Sequence, residues 1–145
     1  MPIAAPLTPP IVPQARCGGP AHHPSAVRTL FEQARRDLLD AEYATLPVDR
    51  YAQAHLAALR AAAAVLAARA RPRRRSRPTS AWVLLATVAP ELADWSAYFA
   101  ATSATRSAAE AGVRRLVTTR DADDLVRQAG EFLTLAQHAA SGASR

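Results

Sequence analysis

Apolar residues recur along this chain at the three-to-four spacing of helices, and no strand-like alternation survives beyond four or five residues. After Pro24, Ser25 is placed to N-cap a first helix. Val27, Leu30, Phe31, Ala34, Leu38 and Ala41 line one side of it, and Arg35, Arg36, Asp37 and Asp40 fall mostly opposite. That helix should end before Pro47. Asp49 is placed to cap a second helix over roughly residues 50–70, about 30 Å long. Its expected buried stripe is Ala52, Leu56, Leu59, Ala63, Leu66 and Ala70. So much alanine lets a neighbouring helix approach closely but buries little area per residue. Pro72 and Pro78 stop this helix and frame a loop.

Ser80 opens a short third helix, AWVLLATVA, after which Pro90 either kinks the chain or begins a new helix at its first turn. Trp95, Tyr98 and Phe99 carry much of the aromatic mass and, with Leu92, are expected to lock the bundle. Gly112 has the position of a C′ residue, and Thr118 with Asp121 has the spacing of a capping box. The last helix has the cleanest stripe: Ala122, Leu125, Val126, Ala129, Phe132, Leu133 and Ala136. The expectation is an all-α, four- to five-helix up-and-down bundle over residues 25–140, with short connections. The proline-rich residues 1–24 are expected to form a disordered arm, and 141–145 a flexible tail.

Composition changes this picture mainly through charge. All 18 basic residues are arginine, against 12 acids, for a formal +6. GC-rich coding accounts for arginine in place of lysine, since Ala, Arg, Pro and Gly codons share that bias. It does not account for clustering. Arg69, Arg71, Arg73, Arg74, Arg75 and Arg77 fall within nine residues without an acid, and removing those six leaves 12 against 12. The net charge of the chain thus resides in one segment. Six like charges so close repel one another, and a partner anion relieves that cost.

Several chemistries find no support. The single cysteine, Cys17, excludes an intramolecular disulfide framework. With His22 and His23 it falls in the arm, where no fourth ligand completes a zinc site, so no metal and no cofactor are expected. The only glycine pair, Gly18-Gly19, lies in the arm too, which leaves no phosphate-gripping loop. No apolar run reaches about 18 residues, and the N-terminus lacks a basic region before its apolar stretch. No membrane association and a cytoplasmic location are the expectation.

Two features point to nucleic acid. Arg50 and His55 fit Arg-x4-His, in which an imidazole moves a proton at a ribose hydroxyl or leaving oxygen while a guanidinium holds the phosphate. They are the candidate catalytic pair, with burial of His55 beside Ala52 and Leu56 at a helix seam as the competing reading. The arginine cluster is the candidate nucleic-acid-binding element, through Arg71, Arg73, Arg74, Arg75 and Arg77. No aromatic residue is interleaved there, so contacts would be electrostatic and tolerant of sequence. An acidic protein surface and plain solvation are its alternatives. His138 reads as a polar edge position.

The runs RYAQAHLAALRAAAAVL (50–66), SAWVLL (80–85), PELADW (90–95) and ADDLV (122–126) together resemble a family of actinobacterial HEPN-domain proteins. The resemblance covers roughly residues 25–138. It implies a compact bundle of four or five helices, often dimeric, in a family that includes ribonucleases, toxins, nucleotide binders and partners of nucleotidyltransferases. Active members carry Arg-x4–6-His near the start of a late helix. The corresponding stretch here, GVRRLVTTR (112–120), has Arg114, Arg115 and Arg120 and no histidine. Those three could form a second basic edge. The expected function is therefore non-catalytic binding of RNA or another polyanion by a homodimeric bundle. A metal-independent ribonuclease or toxin component using Arg50 and His55 is one alternative, and a dimerisation or protein-interaction module is the other.

Overall fold

The computed structural model describes residues 24–69, 80–113 and 116–142. Five helices follow one another: α1 (Pro24–Tyr43), α2 (Pro47–Arg69), α3 (Ala81–Val88), α4 (Ala93–Glu110) and α5 (Thr119–Gly142). A 3-10 turn, Pro90–Leu92, leads into α4. The fold is all-α, with four long helices and a short one, as the spacing of apolar residues predicts.

α2 is the central element, touching α1, α3, α4 and α5. Its buried residues are Tyr51, Ala54, His55, Ala57, Ala58, Ala61, Ala62, Ala64, Val65 and Ala68. This corrects the expected stripe, since Ala52, Leu56, Leu59, Ala63 and Leu66 are only half-buried, and Ala70 is outside the described residues. The reason is geometric. A helix with neighbours on several sides is selected for small side chains where the backbones approach, so alanine occupies its inner arc and leucine its margin.

The ends of the helices follow local chemistry closely. α1 begins at Pro24, so Ser25 sits inside the first turn, not at the cap, and its carbonyl accepts the Thr29 hydroxyl at 2.9 Å. α2 begins at Pro47, two residues before the expected cap. Proline there gives up an amide hydrogen that has no helical partner, and Asp49 instead places its charge in the first turn. Ser80 caps α3 as expected, its hydroxyl accepting from the Trp82 amide at 3.2 Å. Pro90 starts the 3-10 turn and does not kink α3. Gly112, at φ +100°, ends α4. Its amide bonds to Ala109 at 3.1 Å and that of Val113 to Ala108 at 3.0 Å, the paired bonds of a Schellman ending.

Thr118 and Asp121 form the reciprocal capping box: each backbone amide donates to the other's side chain, at 3.1 and 3.0 Å. Thr118→Ala removes one of these bonds and is expected to lower the unfolding free energy by about 1 kcal/mol, read by urea denaturation. An unchanged midpoint would show that the box is idle.

The stripe of α5 is buried as read, with Val126 half-covered against it. Tyr98 is the exception among the aromatic locks: at 38% exposure it lies at the rim, while Phe99 is fully enclosed. Among the described residues no helix is long and apolar enough to cross a membrane.

Candidate functional site

Arg50 and His55 both stand on the first half of α2, but five residues turn a helix by about 140°, and the two side chains go to different places. Arg50 reaches back to the last turn of α1. Its Nη2 donates to the carbonyls of Ala44 at 3.1 Å and Glu42 at 3.4 Å, and its Nη1 pairs with the Asp123 carboxylate on α5. A guanidinium at a helix C-terminus satisfies carbonyls that have no helical partner and meets the negative end of the dipole. Arg50 therefore ties the end of α1 to the starts of α2 and α5. It lines an open groove of about 290 Å³ with Glu42, Asp123, Val126 and Arg127.

His55 points the other way, into the seam between α2 and the α3–α4 pair, and is 1% exposed. Its ring meets Trp82 and Phe99 edge-on, at centroid separations of 5.9 and 6.2 Å. Nε2 lies 3.2 Å from the Phe99 carbonyl and 3.1 Å from the Ser103 hydroxyl. A carbonyl only accepts, so Nε2 carries the proton and donates. Nδ1 is left as a buried lone pair with no partner. Burial lowers the imidazole pKa below the ordinary 6.5, against the opposing pull of the Phe99 carbonyl. A proton donor or acceptor must touch its substrate. His55 is sealed from solvent and Arg50 is spent on other partners, so the structure does not bring this pair together in a cleft.

The arginine cluster divides. Arg69 belongs to the bundle: Nε donates to the Ala139 carbonyl on α5 at 3.0 Å, and Nη1 pairs with Glu91 at 2.6 Å. The Glu91 carboxyl is held below its ordinary range, first by its own backbone amide and further by Arg69. Arg71, Arg73, Arg74, Arg75 and Arg77 lie outside the described residues, between the fixed points Arg69 and Ser80. So do Arg114 and Arg115, and the arm with Cys17, His22 and His23. Arg120 is 91% exposed and lies 4.0 Å from Asp124, which also pairs with Arg127 at 3.3 Å. His138 is exposed on α5, at the polar edge assigned to it. No group of three or more metal-ligating side chains occurs among the described residues.

Charge divides between the helical body and the remaining segments of the chain. The described residues hold nine arginines against all twelve acids, a formal −3, so the remaining nine arginines lie outside them. Within the body, Arg50, Arg60, Arg69, Arg106, Arg120 and Arg127 each lie within ion-pairing distance of a carboxylate.

Asp37 was missed as an interior group. It is 6% exposed and pairs with Arg60 across the α1–α2 seam at 2.8 Å. Burial raises its carboxyl pKa, although Arg60 pulls the other way. The signal was present, because Asp37 is three residues from Ala34 and four from Ala41, on the buried side of α1. The partners of Arg50 and Arg69 are distant in sequence and gave no such signal.

Compared with known proteins, residues 41–137 match the family model described as SAV_6107-like HEPN, a span running from the last turn of α1 through most of α5. No curated protein matches the chain. No solved structure matches it either.

Proposed function

The chain belongs to the SAV_6107-like HEPN family, and from that premise we propose that it binds RNA or another polyanion without catalysis, through Arg71, Arg73, Arg74, Arg75 and Arg77. The charge division carries this reading. The helical body is formally −3 and its arginines are largely engaged by its own acids, so it offers a phosphate backbone little attraction. Five arginines between Pro72 and Pro78 or just before them concentrate the opposite sign in a short segment. Arginine suits this task because its planar fork meets two phosphate oxygens at once. Without an interleaved aromatic residue, contacts in the segment are to phosphate and not to base. The reading is tested by titrating a labelled single-stranded RNA with the wild type and with a variant in which all five arginines are serine. Loss of binding in the variant supports it; equal affinity overturns it.

The ribonuclease reading would require His55 to reach a ribose hydroxyl. An imidazole 1% exposed, enclosed by Trp82 and Phe99, has no route to one, so we place catalysis outside the proposal. Any RNA cleavage in a purified sample is accordingly expected to be unchanged by His55→Ala, once circular dichroism shows the variant folded. Cleavage abolished in a folded variant would restore the enzymatic reading.

A homodimer is part of the same proposal. Leu39, Tyr43 and Leu46 are 51%, 79% and 47% exposed at the α1–α2 corner, apolar surface that a second copy would cover. A melting temperature that rises with protein concentration would support it, and a concentration-independent one would remove it.

A further inference from the structure

The molecule divides mechanically at His55. α1, α2 and α5 are cross-tied by Arg50–Asp123, Arg60–Asp37, the Arg69–Ala139 carbonyl bond and the close approach of Leu38 to Gly130. None of these ties involves α3 or α4. The α3–α4 pair is held to that framework by the ring cluster of Trp82, Trp95, Phe99 and Phe132, by the Arg69–Glu91 ion pair, by the Tyr51 hydroxyl beside Thr102 and Thr105 of α4, and by His55. His55 is the one titratable group whose ring meets both Trp82 on α3 and Phe99 on α4.

We infer that His55 is an acid-sensitive fastening: protonating its ring releases α3 and α4 from α2 while α1, α2 and α5 stay together. The imidazolium has two N–H donors, and only Nε2 has acceptors in the closed seam. Protonating Nδ1 would bury a charged donor with nothing to receive it, a far costlier arrangement than the present buried lone pair. The surroundings offer no compensating charge. α3 carries no titratable side chain, and Phe132 is the α5 residue of the ring cluster. On α4, Arg106 opposes protonation and Glu110 favours it, and these two pair with each other at 3.4 Å. On α2 itself, Tyr51 is one turn away and its hydroxyl stays neutral, burial raising its pKa. Ser103 and the Phe99 carbonyl already serve Nε2.

Above 6.5 the ring is neutral whether the seam is closed or open, and pH has no leverage. As pH falls through that value the open form takes up the proton first. Closure then weakens by up to about tenfold per pH unit until the closed form protonates as well.

Two measurements on the full chain test this. Hydrogen-exchange protection, corrected for intrinsic rates, is compared between about pH 7.5 and 5. Protection is expected to fall in α3 and α4 and to persist in α1, α2 and α5. His55→Gln, which keeps a neutral donor, is expected to erase the pH response. Equal loss in all helices, or the same response in the glutamine variant, would overturn the inference. If that variant fails to fold, imidazole nitrogen shifts of the wild-type protein decide. A neutral Nε2–H ring persisting until α3–α4 protection falls supports the fastening. A ring titrating near 6.5 with protection unchanged refutes it. RNA binding plays no part in either readout, so failure here is separate from failure of the proposed function.

Discussion

Replacing Phe99 with alanine is expected to destabilise the fold by about 3–5 kcal/mol, more than any other single truncation proposed for this chain. The ring is completely enclosed. It lies 5.1 Å from Trp82 in a stacked arrangement and 5.1 Å from Phe132 in a tilted one, and Trp95 stacks on it at 6.2 Å. Truncation removes the buried area and these ring contacts together. The neighbours cannot readily collapse into the gap, because the three remaining rings are carried by three different helices: Trp82 by α3, Trp95 by α4 and Phe132 by α5. With so much of the interior being alanine, Phe99 and Phe132 are the largest fully buried side chains among the described residues. A chain of this size has about 5–15 kcal/mol in all, so the loss is a large fraction of the whole. Urea titration followed by circular dichroism reads the effect. A loss below about 1 kcal/mol would mean that the alanine seams of α2, and not the rings, hold the bundle.

The second large effect concerns binding. Each arginine–phosphate contact to a single strand contributes about 0.7 to the log–log dependence of affinity on salt. Five such contacts make a factor of roughly 10³ in affinity at about 0.1 M salt relative to about 1 M, where the electrostatic contribution is largely lost. Serine at Arg71, Arg73, Arg74, Arg75 and Arg77 should remove most of that factor. Serine at Arg120 and Arg127 is the matched control, since both face Asp124 and share its charge. That control should leave affinity within about twofold, whereas the segment variant should leave almost no binding at physiological salt.

Much of the architecture was legible because its signals are local. The capping box at Thr118 and Asp121, the glycine ending at Gly112, the cap at Ser80 and the stripe of α5 each depend on residues within a few positions of one another. The face of α2 was misread because periodicity assumes that the larger apolar residues turn inward. In a helix with neighbours on several sides that assumption fails, and Ala58, Ala61, Ala62 and Ala64 go to the inside while Leu56 and Leu66 stay at the margin. The candidate site was harder still. Arg-x4-His places two residues on one helix but says nothing of what each meets, and here the partners are Asp123 for Arg50 and Phe99 with Ser103 for His55. Those lie 44 to 73 positions away, beyond any local pattern. The division of charge was half legible: the arginine run was evident, whereas the acidic balance of the body required knowing which residues make up the body.

The claim that binding rests on five arginines is tested most directly by the salt dependence of affinity for a single-stranded RNA. Wild type and the five-serine variant are titrated across a range of salt concentrations, and the log–log slopes are compared. The variant's slope is expected to be shallower by up to about 3.5, with weaker binding at every salt concentration. Parallel slopes of equal affinity would contradict the account and move the binding surface elsewhere on the protein.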